Sequence, residues 1–145
     1  MEISKGSEIV CKELLDLSRS EPSLVGCRCD SCGEIFFPRT SVCARCLADS
    51  LSDVDLGSKG KIWSWTIQLF KPKEPYAGAN DASFVPYGVG YVELECGIKV
   101  ESRLLGFDEA PPKIGEAVNL RLDPFHRSAE GFAHYTYAFA RGDQT

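Results

Sequence analysis

A mainly β chain, with one helix ahead of a cysteine-rich module and a small barrel behind it, is what the 145 residues predict. Three observations carry that expectation. Five of the seven cysteines fall within "GCRCDSCGEIFFPRTSVCARC" (26–46), as two CxxC pairs and one extra. Residues 7–19 place apolar side chains at helical spacing. After residue 60, five stretches alternate apolar and polar residues with a period of two. The expected divisions are a helix over 1–23, the cysteine module over 24–56 and the barrel over 57–145.

The helix rests on "SEIVCKELLDLSR" (7–19), where Ile9, Val10, Leu14 and Leu17 share one stripe. Ser7 is placed to cap its N-terminus, and Glu8 and Lys12 form a favourable i,i+4 pair. Pro22 stops it. Its apolar stripe is expected to pack on the chain's own domain or, with "FFP" (36–38), to face a partner.

Within the cysteine module, Cys29-Asp-Ser-Cys32-Gly33 reads as a metal knuckle. The glycine stands where the chain needs a left-handed or close-approach conformation. Cys43-Ala-Arg-Cys46 supplies a second pair, and the ten residues between leave room for one hairpin. Four thiolates from two such turns, Cys29, Cys32, Cys43 and Cys46, make a closed tetrahedral site for one structural zinc; an S₄ set also accepts iron. Cys27 is expected to be the spare, on the premise that an extended approach turns it away from Cys29, while a Cys27/Cys32 pairing stays open. Cys11 and Cys96 are expected to be small buried hydrophobes.

Turn-rich residues 47–60 then lead into the β pattern. "KIWSWTIQLF" (61–70) sets Trp63, Trp65, Ile67 and Leu69 against Ser64, Thr66 and Gln68. "VPYGVGYVELE" (85–95) is the second strand. "IKVESRLLGF" (98–107) sets Ile98, Val100, Ser102 and Leu104 against Lys99, Glu101 and Arg103. "AVNLRLDPF" (117–125) and "FAHYTYAFAR" (132–141) complete the five. Antiparallel strands with short turns in this span suit a Greek-key barrel of the OB type.

Composition narrows the function. Apolar content of 43% supports a real core. No run approaches the ~20 apolar residues of a bilayer span, and the first residues lack a secretory pattern. Clustered cysteines without such a pattern point to a reducing compartment, the cytoplasm. Net charge is −5, with seven Lys/Arg against five Asp/Glu over 28–73 and six against eleven over 74–145. That balance disfavours general phosphate-backbone binding. No P-loop, GxSxG or GxGxxG occurs, and the H-x-E/P-C-x-x-C pattern of zinc deaminases is absent. The only histidines are His126, expected in a turn, and His134, expected on a strand. No catalytic residue is read from the sequence.

"LVGCRCDSCGEIFFPRTSVCARC", "PYAGANDASFVPYGVGYVELECGIKVESRLLG", "PPKIGEAVNL" and a terminal "YTYAFAR", in that order from Leu24 to Arg141, resemble the zinc-ribbon/OB-fold family once catalogued as domain of unknown function 35. Cys27 departs from it, since a polar residue is more usual there. The resemblance implies a rubredoxin-like zinc ribbon, an OB barrel and an acyl-CoA-associated accessory subunit without catalysis of its own. It implies a hetero-oligomeric partner of thiolase or acyltransferase type, as in archaeal thiolase complexes, steroid side-chain aldolases and benzoylsuccinyl-CoA thiolase. The last setting, in degradation of aromatic or other hydrophobic compounds, is the one favoured. The partner carries the nucleophilic cysteine, and a CoA ester is the ligand of the complex. In "KPKEPYAGANDASFVPY" (71–87), Lys71 and Lys73 are then placed for phosphates, Tyr76 for stacking and Gly78 for close backbone approach. A nucleic-acid-binding module is the alternative, since ribbons and OB barrels both serve that role. Against it stand the acidic balance and the expectation that Trp63 and Trp65 fill a core. A stand-alone enzyme is the third reading, and no activated nucleophile supports it.

Overall fold

The computed structural model describes residues 7–73, 84–127 and 130–142. Ten strands run in chain order: β1 (Glu8–Ile9), β2 (Leu15–Asp16), β3 (Ser23–Cys29), β4 (Ile35–Phe36), β5 (Leu51–Gly57), β6 (Lys59–Gln68), β7 (Tyr87–Leu94), β8 (Lys99–Leu105), β9 (Ala117–Arg127) and β10 (Ala133–Arg141). β3 is the spine of the first sheet. It pairs with β5 along one edge and with β2 and β4 along the other.

The last five strands close on themselves in the order β6-β7-β8-β10-β9, with β9 returning to β6 through Lys59–Asn119 and Lys61–Ala117. This is the expected five-stranded barrel, with one difference. β8 and β10 pair in parallel, at Leu104–Phe139 and Leu105–Ala140, where five antiparallel strands were expected. Alternation does fix the inner face of β8 and β9: Val100, Ser102, Leu104, Val118 and Leu120 are buried, whereas Lys99 and Glu101 are exposed. Leu15, Leu24 and Leu56 of the first sheet belong to the same apolar cluster as Ile9 of β1 and Ile62, Val92 and Phe139 of the barrel. The two sheets therefore share one core.

The N-terminal helix is not formed. Among the described residues there is no α-helix, only a single 3₁₀ turn at Lys12–Leu14. Glu8 and Ile9 instead pair in parallel with His134 and Tyr135 of β10, and Leu15 and Asp16 pair with β3. Cys11 between them has φ 58, a left-handed conformation no α-helix contains. A helix this short is marginal by itself, and two open strand edges take up its backbone while Ile9 and Leu15 enter the core. The apolar helical face expected to pack or to dock is therefore absent as such. Phe36 and Phe37 are half-buried, with Phe37 edge-on to Tyr137 at 6.2 Å.

Three further expectations fail. Residues 51–57, read as turn, are strand β5, and His126, expected in a turn, lies in β9. Third, the apolar side of β6 is not a core. A bulge between Ile62 and Ser64 shifts the register, so Ile62 is buried while Trp63 stands 51% and Trp65 37% exposed. Trp63 meets the edge of Tyr91, itself exposed. Trp65 and Ile67 lie opposite Gly90 and Gly88, which have no side chains to cover them. A Cβ on Gly90 would come 2.3 Å from the Ser64 carbonyl oxygen, so glycine is required there.

Candidate metal centre

The two knuckles are built alike. After Cys29 the chain turns so that the Gly33 N–H donates to the Cys29 carbonyl (2.9 Å) and the Cys29 N–H to the Glu34 carbonyl (2.8 Å). After Cys43, Leu47 N–H donates to the Cys43 carbonyl (2.9 Å) and Cys43 N–H to Ala48 (2.8 Å). Gly33 has φ 80, as its place after CxxC demands, and Leu47 holds the equivalent position at φ 66 despite its side chain. Asp30 ties the first knuckle to β5, accepting hydrogen bonds from the Ser50 and Ser52 hydroxyls at 2.9 Å.

These turns bring the Sγ atoms of Cys29, Cys32, Cys43 and Cys46 within 4.8 Å of one another. Cys29–Cys46 and Cys32–Cys43 are separated by 3.5 and 3.6 Å. A zinc–sulfur bond of about 2.3 Å gives a tetrahedron edge of roughly 3.8 Å. The donor set thus fits one zinc, with all four positions taken by protein. Around it, backbone N–H groups of Arg45 and Cys46 donate to the Cys43 sulfur at 3.4 Å. The backbone N–H of Cys32 beside Cys29 holds that thiol down to about 7, against the opposing effect of burial. Bonds of this kind favour the thiolate form a metal needs.

Cys27 is outside the group, as expected, but not for the expected reason. Residues two apart on a strand share a face, and Cys27 and Cys29 are both buried on β3. Cys27 is held apart by its position one pleat back, where its sulfur accepts the Thr40 N–H at 3.4 Å. Cys11 and Cys96 are exposed rather than buried. Of the residues expected to meet CoA, Lys71 is half-buried and Lys73 exposed just beyond β6, while Tyr76 and Gly78 lie outside the described residues.

A second concavity, of about 320 Å³, opens at the end of the barrel between Ile67, Tyr87, Arg103, Leu105 and Phe107. The Arg103 guanidinium lies over the Tyr87 ring at 4.8 Å and 3.5 Å from the Asp123 carboxylate. Burial pushes the Asp123 carboxyl above its ordinary range, and the Arg103 charge works against that. Sequence reasoning missed this group because Arg103 and Asp123 sit on different strands, far apart in the chain.

A closed four-thiolate ribbon joined to a five-stranded barrel defines the class: a zinc-ribbon protein with an OB-type domain. Residues 18–52 match the family model described as the rubredoxin-like zinc ribbon domain of ChsH2, and residues 53–123 match that of the ChsH2 C-terminal OB-fold domain. The chain belongs to the DUF35 family of zinc-ribbon/OB-fold proteins. It is 28% identical over 120 residues to a DUF35 domain-containing scaffold protein of Methanocaldococcus jannaschii, covering 80% of this chain and 79% of that one. To the benzoylsuccinyl-CoA thiolase subunit BbsA of Thauera aromatica it is 27% identical over 122 residues, covering 83% and 77%. Among solved structures, the Ltp2-ChsH2(DUF35) aldolase superposes with a TM-score of 0.61 at 24% identity, covering 82% of this chain and 84% of that chain; this likeness concerns the fold.

Proposed function

We propose that the protein is a non-catalytic accessory subunit of a thiolase-like complex and helps to bind or channel its acyl-CoA. The observation that carries this reading is the likeness, over most of both chains, to relatives named as benzoylsuccinyl-CoA thiolase subunits. The chemistry agrees. The cysteine cluster has no position open to substrate. The zinc is structural, and a partner of transferase type supplies the nucleophile. The cytoplasm is the compartment that suits its reduced thiols.

For the CoA ester, the end of the barrel offers a mixed concavity in which Ile67, Tyr87 and Phe107 stand beside Arg103 and Asp108, and Lys71 and Lys73 lie a few residues beyond β6, whose Ile67 lines it. Phosphates on the lysines and an acyl arm in the concavity is the arrangement this supports. Titration calorimetry with a CoA ester tests it. Lys71→Glu combined with Lys73→Glu should weaken binding severalfold, and an unchanged isotherm would remove these lysines from the site. The exposure of Trp63 and Trp65 favours a second reading, stacking of single-stranded nucleic acid. The net charge of −5 weighs against it, and salt-dependent binding of single-stranded DNA would support it.

A further inference from the structure

The backbone of β6 is paired on both sides only at its start. Lys59–Lys61 meet β9, and Ile62 exchanges hydrogen bonds with Glu116 and Gly115. From Trp63 to Gln68 the strand pairs with β7 alone, so among the described residues its other edge has no strand beside it. Around this edge the apolar side chains are uncovered on both faces of the sheet: Trp63 beside Tyr91 on one, Trp65 and Ile67 over the glycines on the other. Leu69 and Phe70, 70% and 73% exposed, continue the strip. An unpaired apolar edge of this length is a template for another strand.

Charge decides what can occupy it. Residues 59–73 hold four lysines, Lys59, Lys61, Lys71 and Lys73, and no Asp or Glu. The lysines sit at the two ends of the strip, with the aromatic and aliphatic residues between. A second copy added antiparallel along Trp63–Gln68 would bring its Lys71 and Lys73 near Lys59 and Lys61, whose own outer edge β9 fills and beside which Glu93 offers a counter-charge. A parallel copy would bring Lys71 and Lys73 onto their counterparts. Like charges gathered at the ends of a strand pair repel. An apolar segment of a different chain, with Asp or Glu at its ends, meets no such penalty; at one end it faces Lys71 and Lys73, and at the other it adds to the counter-charge that Glu93 already gives Lys61.

We propose that the free edge of β6, Trp63–Gln68, docks an extended apolar strand with acidic flanks, supplied by the catalytic partner subunit, by β-strand addition. The inference rests on the reading of this chain as a subunit and says which surface makes the joint. Backbone bonds along the edge give the strand its register, and Trp65 and Ile67 give it an apolar seat.

The test purifies the full chain from its native host, identifies the thiolase-like subunit by mass spectrometry, and rebuilds the complex from the two proteins. Amide hydrogen exchange over residues 63–68 should slow on complex formation. The double variant Trp65→Asp/Ile67→Asp should bind the subunit about a hundredfold more weakly. Metal content and melting temperature of the variant are measured alongside, because Trp65 and Ile67 are only 37% and 39% exposed. Should that double variant misfold, Lys61→Glu/Lys71→Glu replaces it and should also weaken binding, by charge reversal at both ends. A complex that forms with unchanged exchange at 63–68, or that binds both variants as tightly as the wild type, overturns the edge while leaving the subunit reading intact. A wild-type chain that brings down no thiolase-like subunit overturns both.

Discussion

From Cys29 to Leu51 the ribbon buries only two side chains deeply, Cys29 and Cys43, and both belong to the thiolate cluster. The barrel, in contrast, places Ile62, Val92, Leu94, Val100, Leu104, Val118, Leu120 and Phe139 almost wholly out of water. The ribbon tip has no apolar core of its own: Ile35 and Phe37 lie only partly buried against the shared core, and the paired knuckle turns bring together four thiolates that a metal would hold. The barrel is ordered by apolar burial, and its core reaches into the root of the ribbon through Leu24 and Leu56. The contrast predicts that the structural work of a bound metal is local, while the barrel carries one strand with exposed apolar residues beside a core formed without them.

The largest expected effect breaks the first half of that contrast. Structural zinc contributes on the order of 10 kcal/mol to the folding of a small module. Chelation, or Cys43→Ser, should release the metal and abolish exchange protection over residues 29–50, while β7, β8 and β10 keep theirs. Equal loss in ribbon and barrel would show that the metal holds the whole chain. Next in size is Gly90→Val in the barrel. The added side chain meets the Ser64 carbonyl at its first atom, and overpacking of this kind costs about 3 kcal/mol. Chemical denaturation should show the loss with metal content unchanged, and a neutral result would mean that the β6–β7 pairing gives way more easily than its geometry indicates.

The smallest effect sharpens the comparison between the two knuckles. Leu47 occupies with φ 66 the place that Gly33 fills in the first knuckle, and its side chain is exposed. Leu47→Gly should relieve about 1 kcal/mol of left-handed strain and raise the midpoint of metal-bound unfolding. A fall in that midpoint would mean that the Leu47 side chain contributes contacts outweighing the strain.

The cysteine set was legible because CxxC spacing and thiolate chemistry constrain each other, and Gly33 marked the first knuckle. The strands β7 to β9 were legible from alternation, which survives because their inner faces are buried. The N-terminal segment was not. Ile9, Val10 and Leu14 fit a helical stripe, but nothing local reveals that β10 and β3 will offer open edges to Glu8–Ile9 and Leu15–Asp16. β5 left a signal that the turn reading passed over: Val54 and Leu56 alternate with Asp53 and Asp55. The outward turn of β6 had no such signal in that strand alone. It depends on a bulge and on glycines at 88 and 90, which lie across the sheet.

The most direct test of the central claim is an acyl-CoA turnover assay of the zinc-loaded protein alone and after reconstitution with the thiolase-like subunit purified alongside it from the native host. The account predicts no turnover by the chain alone and turnover by the reconstituted complex. Turnover of an acyl-CoA by the isolated chain would contradict it.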